Sequence, residues 1–387
     1  MPIFISCPGA GTNPEDIYAD LEGTDQLLGE YNLEYNLPSS AALVVDQGIA
    51  GYSNAIGYRA AGSGVEVTAE DSYHIGSITK SFTAILALRS VDNGEISLTD
   101  TIQEVIGHLL AVPSGYQGVT LEQLLSHTGG IPNSVTKPQW SGYFSDGLNA
   151  HQQRVEMTKD IFNQHKRTES WYYSNFGFVI AGLMIETAVS EHTGTTVTYE
   201  ELIRERIFDR LGLNSAGFGA PADPNSYNEP WGHYGDPPDP VNPSGIHYFP
   251  DNPVGFNSAG RVHANLPDMH KYCEMLYNDC APLLTSSSYS EFITQRAENG
   301  YALGMFVFGS PGDSGFVFQH YGTNSMFYMS LRVYPATDSV VVTASNWGAD
   351  PAATAVEALA YELMETIGKR ALFHRSIDIT PQSPIAQ

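Results

Sequence analysis

Tyr73-His74-Ile75-Gly76-Ser77-Ile78-Thr79-Lys80-Ser81-Phe82 decides how this chain is read. Ser77 stands three residues before Lys80. If a helix starts here, positions i and i+3 share a face and the amine lies beside the hydroxyl. A buried cation and a helix N-terminus both favour an alkoxide, so Ser77 is a candidate nucleophile and Lys80 its activator. The pair alone is weak evidence, because serine and lysine often meet on solvated helix turns. The flank strengthens it. Ser81-Phe82-Thr83-Ala84-Ile85-Leu86-Ala87-Leu88 is apolar around most of its circumference, which predicts a buried helix. A lysine at the start of a buried helix needs a chemical reason.

The same buried helix runs to Asp92-Asn93-Gly94, where Asn-Gly predicts a left-handed cap. Ahead of it, residues 1–16 read as an arm rich in proline and glycine, and a helix is expected over about residues 17–35. Ala41–Gly48 and Asn54–Arg59 read as a strand hairpin. Behind it, 100–215 is mostly helical by periodicity. The clearest case is Phe176, Val179, Ile180, Leu183 and Met184, spaced i, i+3, i+4, i+7, i+8. Residues 219–258 are rich in Pro, Gly, Asn and aromatics, and read as a long loop covering a site. A helix follows near 266–278. Tyr301–Phe308, Phe316–His320, Met326–Tyr334 and Val340–Ser345 then read as an antiparallel meander. A last helix is expected with Asp350 as N-cap, Pro351 at N1 and Gly368 at its end.

Strands therefore lie at both ends of the sequence and helices between them. The expected fold is α/β (α+β type): an antiparallel sheet from N- and C-terminal segments, flanked by helices, with an inserted all-helical lobe. The expected division is 1–72 and 281–387 for the sheet lobe, and 73–280 for the mainly helical lobe. A cleft between such lobes favours a small-molecule site.

Composition narrows the function classes. The 387 residues carry 43 acidic and 18 basic side chains, a formal charge of −25, which argues against nucleic acid and anionic membranes as partners. No apolar run of about 18 residues occurs, so no membrane span is expected. The N-terminus lacks a basic region and a long apolar core, so an intracellular location is favoured over secretion with a leader removed. Cys7, Cys273 and Cys280 are too few for a disulfide framework, leaving pairing of Cys273 with Cys280 open. The histidines, among them His74, His127 and His320, lack zinc-site spacings, so no metal and no cofactor are expected.

Two more strings carry chemistry. Tyr173-Ser174-Asn175 sits at a loop–helix junction, and His320-Tyr321-Gly322 ends a strand, where glycine permits close approach to the backbone. Taken with Ser77-x-x-Lys80 and in this order, these strings resemble the penicillin-recognising serine hydrolases. The resemblance is closest to the class C β-lactamase-like group, with its DD-carboxypeptidases, D-aminopeptidases and family VIII esterases. Leu124-Leu125-Ser126-His127-Thr128-Gly129-Gly130-Ile131 and Asn257-Ser258-Ala259-Gly260-Arg261 are also similar to that group. The resemblance covers about residues 40–350, specifies the β-lactamase/transpeptidase-like fold and says little about the substrate.

The resemblance implies roles. Ser77 forms an acyl-enzyme. Lys80 eases its deprotonation, and Tyr173 is the base, as phenolate or by relay. A free tyrosine has a pKa of about 10, so a phenolate needs two nearby cations, Lys80 and a protonated His320. Asn175, His320 and Gly322 contact substrate, and the N–H groups of Ser77 and Thr323 form the oxyanion hole. Histidine at 320, where most class C β-lactamases carry lysine, weakens carboxylate binding. Arg261 supplies a replacement charge if it reaches the cleft, and is otherwise a surface residue.

The expected function is hydrolysis of an ester or amide of a small-molecule or short-peptide acyl substrate, with esterase or D-amino-acid peptidase or amidase ahead of β-lactamase or DD-carboxypeptidase. An acyltransferase of the same fold and a non-catalytic penicillin-binding module are the readings from other classes.

Overall fold

A computed structural model describes residues 23–164, 168, 171–245 and 249–367. Its centre is a six-stranded antiparallel sheet. Across it the strands run Ile49–Gly57, Ser39–Asp46, Ser339–Ser345, Tyr328–Tyr334, Val317–Thr323, Phe306–Phe308. Two N-terminal strands thus pair with four C-terminal ones, through Leu43 opposite Val342 and Val44 opposite Val341. Both faces are covered, which is why the central strands read as continuous apolar runs instead of alternating ones. Ala42, Val44 and Val341 pack with Leu28, Leu359 and Leu363 of the helices Thr24–Glu34 and Asp350–Thr366. Ala41, Leu43, Val340 and Val342 face the larger core on the opposite side.

The sequence between the hairpin and the meander is mainly helical. Asn175–Thr193 is buried continuously from Phe176 to Val189. Thr79–Asp92 is buried from Thr79 to Leu88. Its hydroxyls are satisfied within the core: Ser81 Oγ pairs with the Tyr272 hydroxyl at 2.6 Å, and Thr83 Oγ1 donates to the Ser258 carbonyl at 2.7 Å. The helix ends at Asn93, with Gly94 in the left-handed region at φ 71°.

Several expectations are corrected. Tyr301–Phe308 is not one strand. Only Phe306–Phe308 is extended, and Tyr301 folds back to bridge Phe306. Gly304 makes the turn at φ 70°, where an added Cβ would lie 2.4 Å from the Lys80 carbonyl oxygen. Gln47 and Gly48 are not strand residues but a two-residue turn, both at positive φ. Ala349, not Asp350, is the N-cap of the last helix, which starts one residue earlier than the proline suggested. Cys273 and Cys280 are both free and buried. The arm 1–16, the start of the helix expected over 17–35, Cys7 and Gly368 lie outside the described residues. No helix among the described residues is long and apolar enough to cross a membrane.

Candidate active site

Ser77 lies in a single 3-10 turn, Gly76–Ile78, that feeds the helix Thr79–Asp92. One helical turn on, Lys80 has no solvent exposure. Its Nζ lies 3.0 Å from Ser77 Oγ, 2.7 Å from Asn175 Oδ1 and 2.7 Å from the Ala259 carbonyl. No carboxylate is among these contacts. Burial without a counter-ion disfavours the ammonium and holds the Lys80 pKa well below its ordinary value. The Tyr173 ring centroid lies 4.9 Å from the same nitrogen. Burial dominates and pushes the Tyr173 pKa up, although the neighbouring Ser77 hydroxyl lowers it.

Tyr173 is placed by backbone contacts to His127. The Tyr172 N–H donates to the His127 carbonyl at 3.1 Å, and the Ser174 N–H donates to His127 Nδ1 at 3.1 Å. His127 itself is left-handed, at φ 62°. Ser174 caps the following helix by accepting from the Gly177 N–H at 3.0 Å, and the Asn175 N–H donates to Asn133 Oδ1 at 2.6 Å. The segment 124–131 therefore serves the geometry of the Tyr173–Asn175 loop. Sequence reading missed Asn133 and the Ala259 carbonyl.

The strand Val317–Thr323 brings its end against the Ser77 turn. A Cβ on Gly322 would lie 2.1 Å from the Ile75 carbonyl oxygen and 2.5 Å from the Ser77 nitrogen. A Cβ on Gly76 would lie 2.2 Å from the Thr323 nitrogen. Only two glycines permit this approach, and it sets Ser77 and Thr323 on one recess. The recess is lined by Ser77, Tyr173, Phe306, His320, Tyr321, Gly322 and Thr323.

His320 is 2% exposed. Its Nδ1–H donates to the Tyr321 carbonyl at 2.6 Å, leaving Nε2 as an acceptor 3.5 Å from the Tyr301 hydroxyl. Burial, with Lys80 nearby, lowers its pKa to about 3. It is neutral at working pH and so is not one of the two cations a Tyr173 phenolate requires. Arg261 is not among the residues lining the recess. Its Nε lies 3.1 Å from Asp251 Oδ2 and its Nη1 2.8 Å from Asn257 Oδ1. None of the described residues of 219–258 lines the recess either. Among the described residues, no group of three or more His, Cys, Asp or Glu side chains is arranged to hold a metal ion.

The pattern for the Beta-lactamase family matches residues 24–363 of this chain. The chain belongs to the β-lactamase family. Among relatives of this β-lactamase-family chain is penicillin-binding protein 4 of Amycolatopsis lactamdurans, 25% identical over 331 residues, or 81% of this chain and 82% of the relative. The octameric penicillin-binding protein homologue of Pyrococcus abyssi superimposes with a TM-score of 0.71 at 23% identity, covering 91% of this chain and 78% of the homologue. The D-amino acid amidase of Ochrobactrum anthropi SV3, complexed with L-phenylalanine amide, superimposes with a TM-score of 0.66 at 19% identity, covering 90% and 97%. At these identities the two structures speak for the fold.

Proposed function

We propose that this chain is a serine hydrolase that cleaves an ester or amide through an acyl-enzyme on Ser77. The observation that carries this reading is the 3.0 Å contact between Ser77 Oγ and a buried Lys80 that lacks a counter-ion. A neutral amine donates two N–H bonds, to Asn175 Oδ1 and the Ala259 carbonyl, and offers its lone pair to the Ser77 O–H. Lys80 is then the base in acylation. Its proton returns to the leaving alcohol or amine with the Tyr173 hydroxyl as relay, and the same groups activate water in deacylation. The N–H groups of Ser77 and Thr323 face the developing oxyanion, one such donor typically contributing ~3–4 kcal/mol in the transition state.

The recess also bears on the substrate. No ionised side chain lines it, and His320 is neutral. A carboxylate-bearing β-lactam or peptide finds no cation there, and an α-ammonium finds no carboxylate. We therefore place esters and amides with an uncharged acyl group first, and D-amino-acid amides, suggested by the amidase likeness, second. No described residue of 219–258 closes over the recess to exclude water, which favours hydrolysis over acyl transfer.

The test has two arms. A fluorophosphonate should add once, as read by intact-mass spectrometry, and Ser77→Ala should show no adduct. A chromogenic panel of p-nitrophenyl esters, D- and L-amino-acid p-nitroanilides and nitrocefin should rank the neutral esters highest. Labelling that survives in Ser77→Ala refutes the nucleophile, and nitrocefin ranking first refutes the substrate order.

A further inference from the structure

The described residues of 219–258 stay out of the recess, yet Asp251 among them reaches segments that adjoin the site. Asp251 is 7% exposed, and its carboxylate meets three separate segments. Oδ1 lies 3.0 Å from His74 Nε2, with the N–H off the line of a straight hydrogen bond. Oδ1 also accepts from Asn324 Nδ2 at 3.1 Å, and Oδ2 accepts from Arg261 Nε at 3.1 Å. Each partner adjoins a working part of the site. His74 Nδ1 accepts the Gly76 N–H at 3.0 Å, fixing the turn one residue before Ser77. Asn324 follows Thr323, and its Oδ1 accepts the Met326 and Phe327 N–H groups, fixing the chain as it leaves the strand. Arg261 lies two residues after Ala259, whose carbonyl holds Lys80. The next loop residue repeats the link, Asn252 Nδ2 donating to the Gly260 carbonyl at 3.0 Å.

We infer that Asp251 is a positioning residue that sets the distance between the two halves of the oxyanion hole, the Gly76–Ser77 turn and the Thr323–Asn324 strand end. The inference rests on the acyl-enzyme reading at Ser77. The carboxylate touches no reacting atom and acts through His74 and Asn324. Burial alone would favour its protonated form, but His74 and Arg261 outweigh that and hold its pKa far below the usual carboxylate range. A permanent anion held by hydrogen bonds from Asn324 and Arg261 and in close contact with His74 suits this task, because an oxyanion hole loses its effect when its donors are misplaced by small distances.

The experiment compares wild type with Asp251→Asn, which keeps the volume and one acceptor, and Asn324→Ala, which cuts the strand-side link together with the acceptor for the Met326 and Phe327 N–H groups. p-Nitrophenyl acetate turnover is normalised to active sites titrated with a fluorophosphonate, and phenylboronic acid serves as the tetrahedral, anionic probe. The expected result is a 10- to 100-fold fall in kcat per titrated site, KM within threefold, and boronate affinity falling by the same factor as kcat/KM. A merely structural role would lower the number of active sites or Tm and leave kcat per site and boronate affinity unchanged; that outcome in a folded Asp251→Asn overturns the inference. If Asp251→Asn does not fold, Asn324→Ala decides by the same readouts. Wild type that takes up no fluorophosphonate at Ser77 refutes the acyl-enzyme reading instead.

Discussion

Lys80 offers a test in which stability and catalysis must agree. In the folded protein the amine is fully buried among a hydroxyl and two carbonyl oxygens, and its pKa is held well below the ordinary value. In the unfolded chain it titrates near about 10.4. Between those two values the unfolded state binds one proton more than the native state. Wild-type stability must therefore rise with pH across that window, by about 1.4 kcal/mol per pH unit for one proton. Lys80→Met removes the titrating group and the slope with it. The difference in unfolding free energy, wild type minus Lys80→Met, should climb with pH up to about 10.4, with a limiting slope of about 1.4 kcal/mol per pH unit. Urea titrations at four pH values measure it. The same variant should lose on the order of 10²- to 10⁴-fold in the acylation rate, the usual scale for a general base. Lys80→Arg should be equally inactive, because a guanidinium keeps its charge but cannot accept a proton. A flat stability difference would show that Lys80 is ionised in the fold. Lys80→Arg acylating within tenfold of wild type would reduce Lys80 to an electrostatic role.

Tyr173→Phe keeps the ring against His127 and removes the hydroxyl beside Ser77, so kcat should fall on the order of 10²–10⁴-fold with Tm little changed. A loss under tenfold would remove Tyr173 from the relay and leave proton transfer to Lys80 alone. Gly322→Ala should abolish turnover and lower Tm, because its Cβ would lie 2.1 Å from the Ile75 carbonyl oxygen, and a folded, active variant would contradict the close strand–turn approach. His320 has a folded pKa of about 3, below its unfolded value, so its contribution to stability is full above pH ~6.5 and is lost as pH falls towards about 3. His320→Gln should flatten that acidic slope in denaturant titrations between pH 6.5 and 4, and an unchanged slope would mean that His320 is already solvated in the native state.

What the sequence made legible is local. Ser77 and Lys80 share one helical turn, and Tyr173 and Asn175 flank one cap, so their proximity follows from spacing alone. The buried helix and the paired terminal strands follow from apolar runs. What stayed hidden depends on burial and on pairs distant in sequence. The apolar run Tyr301–Phe308 scores as a strand, and only Gly304 signals the turn that tucks beneath the Lys80 carbonyl. Arg261 reads equally as cleft or surface, because its fate is decided by Asp251, a carboxylate with no local motif around it. His320 reads as a switchable cation until its exposure is known; at 2% it is a neutral acceptor. That last point alters the chemistry most. With His320 neutral, Tyr173 lacks one of the two cations a phenolate needs, and burial pushes its own pKa up. On the reading proposed here the proton on Ser77 moves towards the Lys80 nitrogen, and the tyrosine hydroxyl carries it onward.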